Sequence, residues 1–192
     1  MSDQSLRKSL ENRLKETDQS LYDHSKRLES LAKQCVSVLN LSKTEKETII
    51  IAALFHDIGI LELPNQLIQK TDRLSLDEYE QLQTHVTTGL DLLKGIKNEE
   101  TIINIIKHHH ENMNGFGYPD GLVGEKIPFG SRLIHIIEAF DSMINPRRKN
   151  KNGFTSQKAV SELTEFSNRI YDADILKKIA PILLEVPNAQ NT

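Results

Sequence analysis

The sequence predicts an all-α fold, a compact single-domain helical bundle with one long loop. Apolar residues recur at spacings of three and four along most of the chain, and no segment alternates with period two. Two S-x-x-E boxes, Ser42–Glu45 and Ser75–Glu78, mark helix starts. The 192 residues suit one core, since single cores stop growing only at about 250–300 residues.

The elements follow in order. Leu6, Leu10, Leu14 and Leu21 form a first amphipathic stripe. Residues 1–17 are expected to form an N-terminal helix that packs on the domain or pairs with a second copy, so a homodimer stays open. Residues 18–192 form the main domain. His24, Leu28, Leu31, Cys35 and Val38 make the next stripe. The first box opens a helix through Ile49, Ala53 and His56. The second opens one with Leu76, Tyr79, Leu82, Val86, Leu90 and Leu93 inward, ended by Gly95. Further helices are expected from Glu99 to about His110, from Ser131 to Ile144, and near 156–167 and 174–184. The irregular stretch from Glu111 to Gly130 exceeds the usual length for a connection, and loops of that size tend to be functional.

Composition excludes several classes. A net charge of −3 gives no electrostatic reason to expect DNA or an anionic membrane as partner. The longest apolar run, Ile49 to Phe55, falls far short of the ~20 residues of a membrane span, and the polar N-terminus lacks a signal-peptide core. The single cysteine, Cys35, forms no internal disulfide, so a cytoplasmic location is expected.

The seven histidines carry the chemistry. His24 shares a face with Leu28, Leu31 and Cys35. His56-Asp57 ends an apolar helix. His85 lies beside Val86, and His109-His110 follow Ile102, Ile103 and Ile106 at helical spacing. Glu138 stands between Ile134, Ile137 and Phe140. Each has an ordinary alternative: His24 or His85 as a satisfied core residue, His56-Asp57 as a helix cap, Glu138 as a partner of Arg132 or a lysine. Burying all of them together is costly unless a shared divalent cation partners every group. Imidazole with carboxylate suits iron, manganese or zinc better than calcium. A four-ligand structural zinc site fits less well, because cysteine is missing from the set. Adjacent His-Asp and His-His pairs point about 100° apart on a helix, so a pair can serve two metals, or a carboxylate can bridge them. His108 shares its face with Thr101 and Asn104 and is expected in solvent. His135 has no evident partner.

His56-Asp57, His85, the HHE run His109–Glu111 and NGFGYP at Asn114–Pro119 resemble, in order and spacing, an HD-GYP domain, a bacterial signalling subclass of the HD metal-dependent phosphohydrolases. HxxRL at His24–Leu28, GLxGxxIP at Gly121–Pro128 and Arg132 extend the likeness to roughly residues 18–155. The resemblance implies an HD-type bundle with a GYP loop, and hydrolysis of cyclic di-GMP or a related dinucleotide at a binuclear centre. It implies two divalent transition-metal ions, iron or manganese before zinc. By position, His24, His56, Asp57 and Glu138 would hold one ion. His85, His109 and His110 would hold the other, with Asp57 as the bridging catalytic residue. Tyr118 and Arg147 would contact substrate, and the loop Gly117–Pro119 would also dock a signalling protein.

The sequence departs from the family pattern at several places. Ile60 replaces the HDxGK lysine, Asn114 an aspartate and Glu138 an aspartate ligand. Asn150 replaces a basic residue, Arg148-Lys149 a Pro-Tyr pair, and Ser20 the glutamate of three-metal members. The metal cage is thus nearly complete while the phosphate clamp is depleted. That leaves a catalytically inactive signalling module, binding nucleotide or a partner protein, as the alternative.

Overall fold

The computed structural model describes residues 2–70, 72–146 and 152–187. Nine helices run through them: α1 (Asp3–Thr17), α2 (Gln19–Ser37), α3 (Lys43–Phe55), α4 (Asn65–Ile68), α5 (Leu76–Gln83), α6 (Glu99–Lys107), α7 (Phe129–Ile144), α8 (Ser156–Glu165) and α9 (Ala173–Leu184). Short 3-10 turns at Ile58–Glu62, Thr84–Val86, Leu90–Leu93 and Gly124–Lys126 connect them. The described residues contain no strand, only isolated bridges at Asn114–Val123 and Ser167–Tyr171. The all-α expectation holds. None of the described helices is long and apolar enough to cross a membrane.

Capping chemistry sets the boundaries. Both boxes form as expected, with Ser42 and Ser75 accepting from the Glu45 and Glu78 amides while each glutamate reaches back. Asp18 divides the first leucine stripe: it is extended, and its carboxylate accepts from the Ser20 and Leu21 amides to start α2. Leu10 and Leu14 of α1 are buried, and α1 packs on α2 and on the 3-10 turn at Ile58–Glu62.

The core lies where α2, α3, α6 and α7 meet, with α8 and α9 closing over α7. Leu28, Phe55, Ile102, Ile106, Leu133, Ile134 and Phe140 are fully buried. Each such side chain contributes about 1.5–3 kcal/mol over its exposed state, enough to hold the polar cluster described below inside the bundle.

Four expectations fail in instructive places. The helix expected from Ser75 to Leu93 stops at Gln83, passes through a 3-10 turn and turns at Gly89, whose φ is +69°. The cause is close backbone packing: a Cβ on Gly59 would lie 1.9 Å from the His85 carbonyl oxygen. Leu76 and Tyr79, expected inward, are 81% and 49% exposed. Val38, expected on the buried stripe of α2, is half exposed at its C-cap. Also, α6 ends at Lys107, so His109 and His110 belong to a turn rather than to a helix.

Candidate metal centre

Five segments deliver the expected ligands to one place. His24 comes from α2 and His56-Asp57 from the end of α3. His85 comes from the 3-10 turn after α5, His109-His110 from the turn after α6, and Glu138 from the middle of α7. Their donor atoms fall into two groups, His24–His56–Glu138 and His85–His109–His110, each with atoms within 4.8 Å of one another. Asp57 stands between the groups. One carboxylate oxygen is 3.5 Å from His56 Nε2, the other 3.3 Å from His85 Nε2.

The orientation of each ring comes from its own turn. His56 Nδ1 donates to the Ala53 carbonyl at 2.9 Å, His85 Nδ1 to Leu82 at 2.7 Å and His109 Nδ1 to Ile106 at 2.6 Å. A carbonyl only accepts, so Nδ1 carries the proton and Nε2 keeps its lone pair free. Asp141 serves His24 in the same way, its carboxylate 2.7 Å from Nδ1. Arg27 grips Asp141 in turn through Nε and Nη2 at 2.8 and 2.9 Å. Ligands fixed by partners of this kind characterise metal sites.

The cluster leaves orphans. Nε2 of His56, His85 and His109 and Oε2 of Glu138 are buried without a hydrogen-bond partner. Each would cost about 1–3 kcal/mol if nothing satisfied it. Nitrogen and oxygen donors converging in this way fit a divalent cation, with no thiolate in the set.

Electrostatics agree with that fit. Burial depresses the pKa of His56 to about 4, and burial with the neighbouring histidines holds His109 and His110 well below the usual range. Neutral imidazole is the ligating form. Burial pushes the Asp57 carboxyl upward, but the surrounding histidines outweigh it and keep the group ionised. Glu138 is displaced well upward by burial and by the charges of Asp57 and Asp141. In the absence of a cation it therefore tends to keep its proton.

A cavity of about 490 Å³ opens from these ligands, with Asp57, His85, His110 and Glu138 in its wall. Tyr118 lines it, its ring 4.9 Å from that of His110, and burial holds its hydroxyl firmly protonated. Ile60 lines the same cavity and is almost fully buried. Arg147 lies outside the described residues, as do Arg148, Lys149 and Asn150.

The GYP loop is braced. Glu111 is buried, and its carboxylate accepts from the Asp120 and Leu122 amides at 2.7 and 3.1 Å. Gly117 passes so close that a Cβ there would meet the Asn112 amide at 2.3 Å. His108, expected in solvent, is buried: its Nδ1 bonds the Asn104 carbonyl and its Nε2 is 3.0 Å from Asp120. It ties the loop to α6. Arg132 pairs with Asp172 rather than with Glu138. His135 faces Tyr171 with ring centroids 5.0 Å apart and lines the cavity. Sequence reasoning missed Asp141, Glu111 as a loop anchor and His135 as a cavity residue. Asp141 left one signal, a carboxylate three residues beyond Glu138 in an apolar helix.

The HD domain family model matches residues 8–175. The chain belongs to the HD domain family. The HD-GYP resemblance read from the motifs holds among its relatives. The cyclic di-GMP phosphodiesterase response regulator RpfG of Xanthomonas campestris is 33% identical over 148 residues, which make up 76% of this chain and 39% of the relative. A crystal structure of a cyclic GMP-AMP-specific phosphodiesterase of Vibrio cholerae superposes with a TM-score of 0.68 at 21% identity, covering 95% of this chain and 48% of the other. An HDG"Y"P protein from Bdellovibrio bacteriovorus gives a TM-score of 0.65 at 22% identity, over 83% of this chain and 51% of the other. This HD domain chain spans less than half the length of the curated relatives it matches. Divalent-metal binding goes with the HD domain family, and the two ligand groups suit it.

Proposed function

We propose that the chain is a metal-dependent phosphodiesterase that hydrolyses cyclic di-GMP or a related dinucleotide at a binuclear centre. The observation that carries the reading is the pair of three-ligand groups with Asp57 facing both and the Nε2 atoms of His56, His85 and His109 buried without a partner. Relatives named for cyclic di-GMP and for 3'3'-cGAMP hydrolysis support the substrate class. His24, His56 and Glu138 hold one ion and His85, His109 and His110 the other, with Asp57 shared. The donor set favours iron or manganese, then zinc. Divalent ions in such a site neutralise phosphoryl charge and acidify water.

The protein's own groups do the rest. The carbonyls behind His56, His85 and His109 keep three Nε2 atoms aimed inward, and Asp141 does so for His24. The histidines keep Asp57 anionic. Tyr118 offers a protonated hydroxyl at the mouth, fit to donate to a phosphate oxygen. Arg147 is carried as a further phosphate contact. Burial raises the Cys35 thiol to about 12, which keeps it unreactive.

The test is metal content and turnover on one anaerobically purified sample. About two first-row ions per chain with hydrolysis of cyclic di-GMP or 3'3'-cGAMP is the expected result. A full metal complement with no turnover of either would overturn it. The chain would then be a nucleotide-binding or partner-docking signalling module, the reading that Ile60 favours.

Ile60→Lys bears on the same choice. Isoleucine gives a phosphate oxygen no hydrogen-bond donor, and one preorganised donor is commonly worth about 10²–10³ in rate. The substitution is expected to raise cyclic di-GMP turnover toward that range, because the lysine can extend into a cavity walled by Asp57 and Glu138. A variant that keeps its fold and metals yet gains nothing would count against a phosphodiesterase slowed at this position.

A further inference from the structure

The cavity that holds the ligands at its floor ends in exposed aromatic rings. Phe116 lines it and is 86% exposed, the most exposed of the large apolar side chains described. Tyr79, on α5, also lines it and is 49% exposed. A single exposed apolar residue needs no explanation, but two aromatic residues on the open side of one polar cavity do.

The loop carrying Phe116 is held firmly. The Phe116 amide donates to Asn114 Oδ1 at 3.1 Å, the Asn114 amide to the Arg169 carbonyl at 2.9 Å and the Tyr118 amide to the His110 carbonyl at 3.3 Å. Gly115, at φ +81°, makes the turn that turns the ring outward. Phe116 is two residues from Tyr118, whose ring lies on His110, so their Cα atoms are at most ~7 Å apart. The apolar ring thus stands a short step from the cation-binding floor.

We propose that Phe116, with Tyr79, forms a stacking shelf for a nucleobase of the substrate. The proposal rests on the cavity being a nucleotide phosphodiester site. A nucleotide carries its phosphate and its flat π-face one sugar apart, and this cavity is lined both by the candidate metal ligands and by exposed aromatic rings. Stacking reads the face of a base rather than its edge, so the shelf accepts guanine and adenine alike. Selectivity between cyclic di-GMP and cyclic GMP-AMP must then be set elsewhere in the cavity.

The experiment measures binding of inorganic phosphate, GMP and cyclic di-GMP to the metal-reconstituted full chain by calorimetry. Wild type should bind GMP more tightly than phosphate. Phe116→Ala should weaken GMP and cyclic di-GMP roughly 5- to 150-fold, the usual loss of one base–aromatic stack, and leave phosphate binding unchanged. Phe116→Trp should retain the affinity, and Tyr79→Ala should weaken the same two ligands. Truncating so exposed a ring removes no core contact, so a fold defect does not confound the result. Three outcomes would each overturn the shelf: wild type binding GMP no tighter than phosphate, Phe116→Ala leaving GMP unaffected, or phosphate weakening in proportion. An unaffected GMP affinity would mark the rim as a protein-docking face instead. Failure of the phosphodiesterase reading is separate: phosphate and GMP bind as expected, but cyclic di-GMP is not cleaved.

Discussion

Asp57→Ala is expected to reduce cyclic di-GMP turnover by more than about 10³-fold and to lower metal content by at least one ion per chain. Asp57 faces both groups most closely, with oxygens 3.5 Å from His56 Nε2 and 3.3 Å from His85 Nε2, whereas Glu138 of the first group lies 3.8 and 3.9 Å from His109 and His110 of the second. Removing one preorganised donor typically costs 10²–10³ in rate, and a residue shared by two cations should exceed that. Alanine also leaves a buried cluster of histidines without its anion. Asp141→Asn is the informative comparison. Asp141 touches only His24 among the ligands, so its loss should cost roughly 10- to 100-fold in metal affinity without removing a ligand. Elemental analysis and steady-state turnover on both variants decide the matter. Full metal occupancy in Asp57→Ala would remove the shared-ligand assignment.

Stripping the metals is expected to leave a protein with a stability optimum near pH 6.5. His56 titrates at about 4 when folded and near 6.5 when unfolded. Between those values the unfolded chain takes up a proton that the folded chain refuses, so stability falls as pH falls from 6.5. His56 alone accounts for about 3 kcal/mol by pH 4. His109, His110 and His135 act in the same direction. Glu138 acts oppositely: its folded pKa is raised, so above about 4.5 the unfolded chain releases a proton that the folded chain keeps, and stability falls as pH rises. Asp57, depressed, contributes a constant amount above its unfolded value of 3.8. Four histidines outweigh one carboxyl up to 6.5, and above it only the Glu138 slope remains. Cations bind neutral imidazole and ionised carboxylate, so adding them should flatten the alkaline side. A metal at 1,000 times its Kd adds about 4 kcal/mol, which for a chain of this size means a Tm higher by roughly 10 °C. Thermal melts with and without manganese, from about pH 4.5 to 8.5, would show it. Superimposable profiles would mean that these groups hold no metal.

Much of this molecule is written locally. Serine caps with Glu45 and Glu78, and the isoleucine spacing of Glu99–Lys107, declare their helices within a few residues. The clustering of the candidate ligands is legible because histidine and carboxylate on apolar faces demand a partner. What stayed hidden depends on distant chain. Residues 76–93 keep helical spacing, but Gly59, far upstream, presses against the His85 backbone and forces the break. His108 looked exposed because its partner, Asp120, lies on the loop. Asp141 gave little sign because His24 lies 117 residues earlier.

The helix endings at the centre have an electrostatic consequence. α3 stops at Phe55, α5 at Gln83 and α6 at Lys107, each just before a ligand. Each helix C-terminus carries roughly half a negative charge. Three of them end beside the candidate ligands and add a backbone field that favours cations there. Single histidine losses should then leave residual metal affinity. The same field opposes an anion in the empty cavity, so phosphate is expected to bind only after cations have done so.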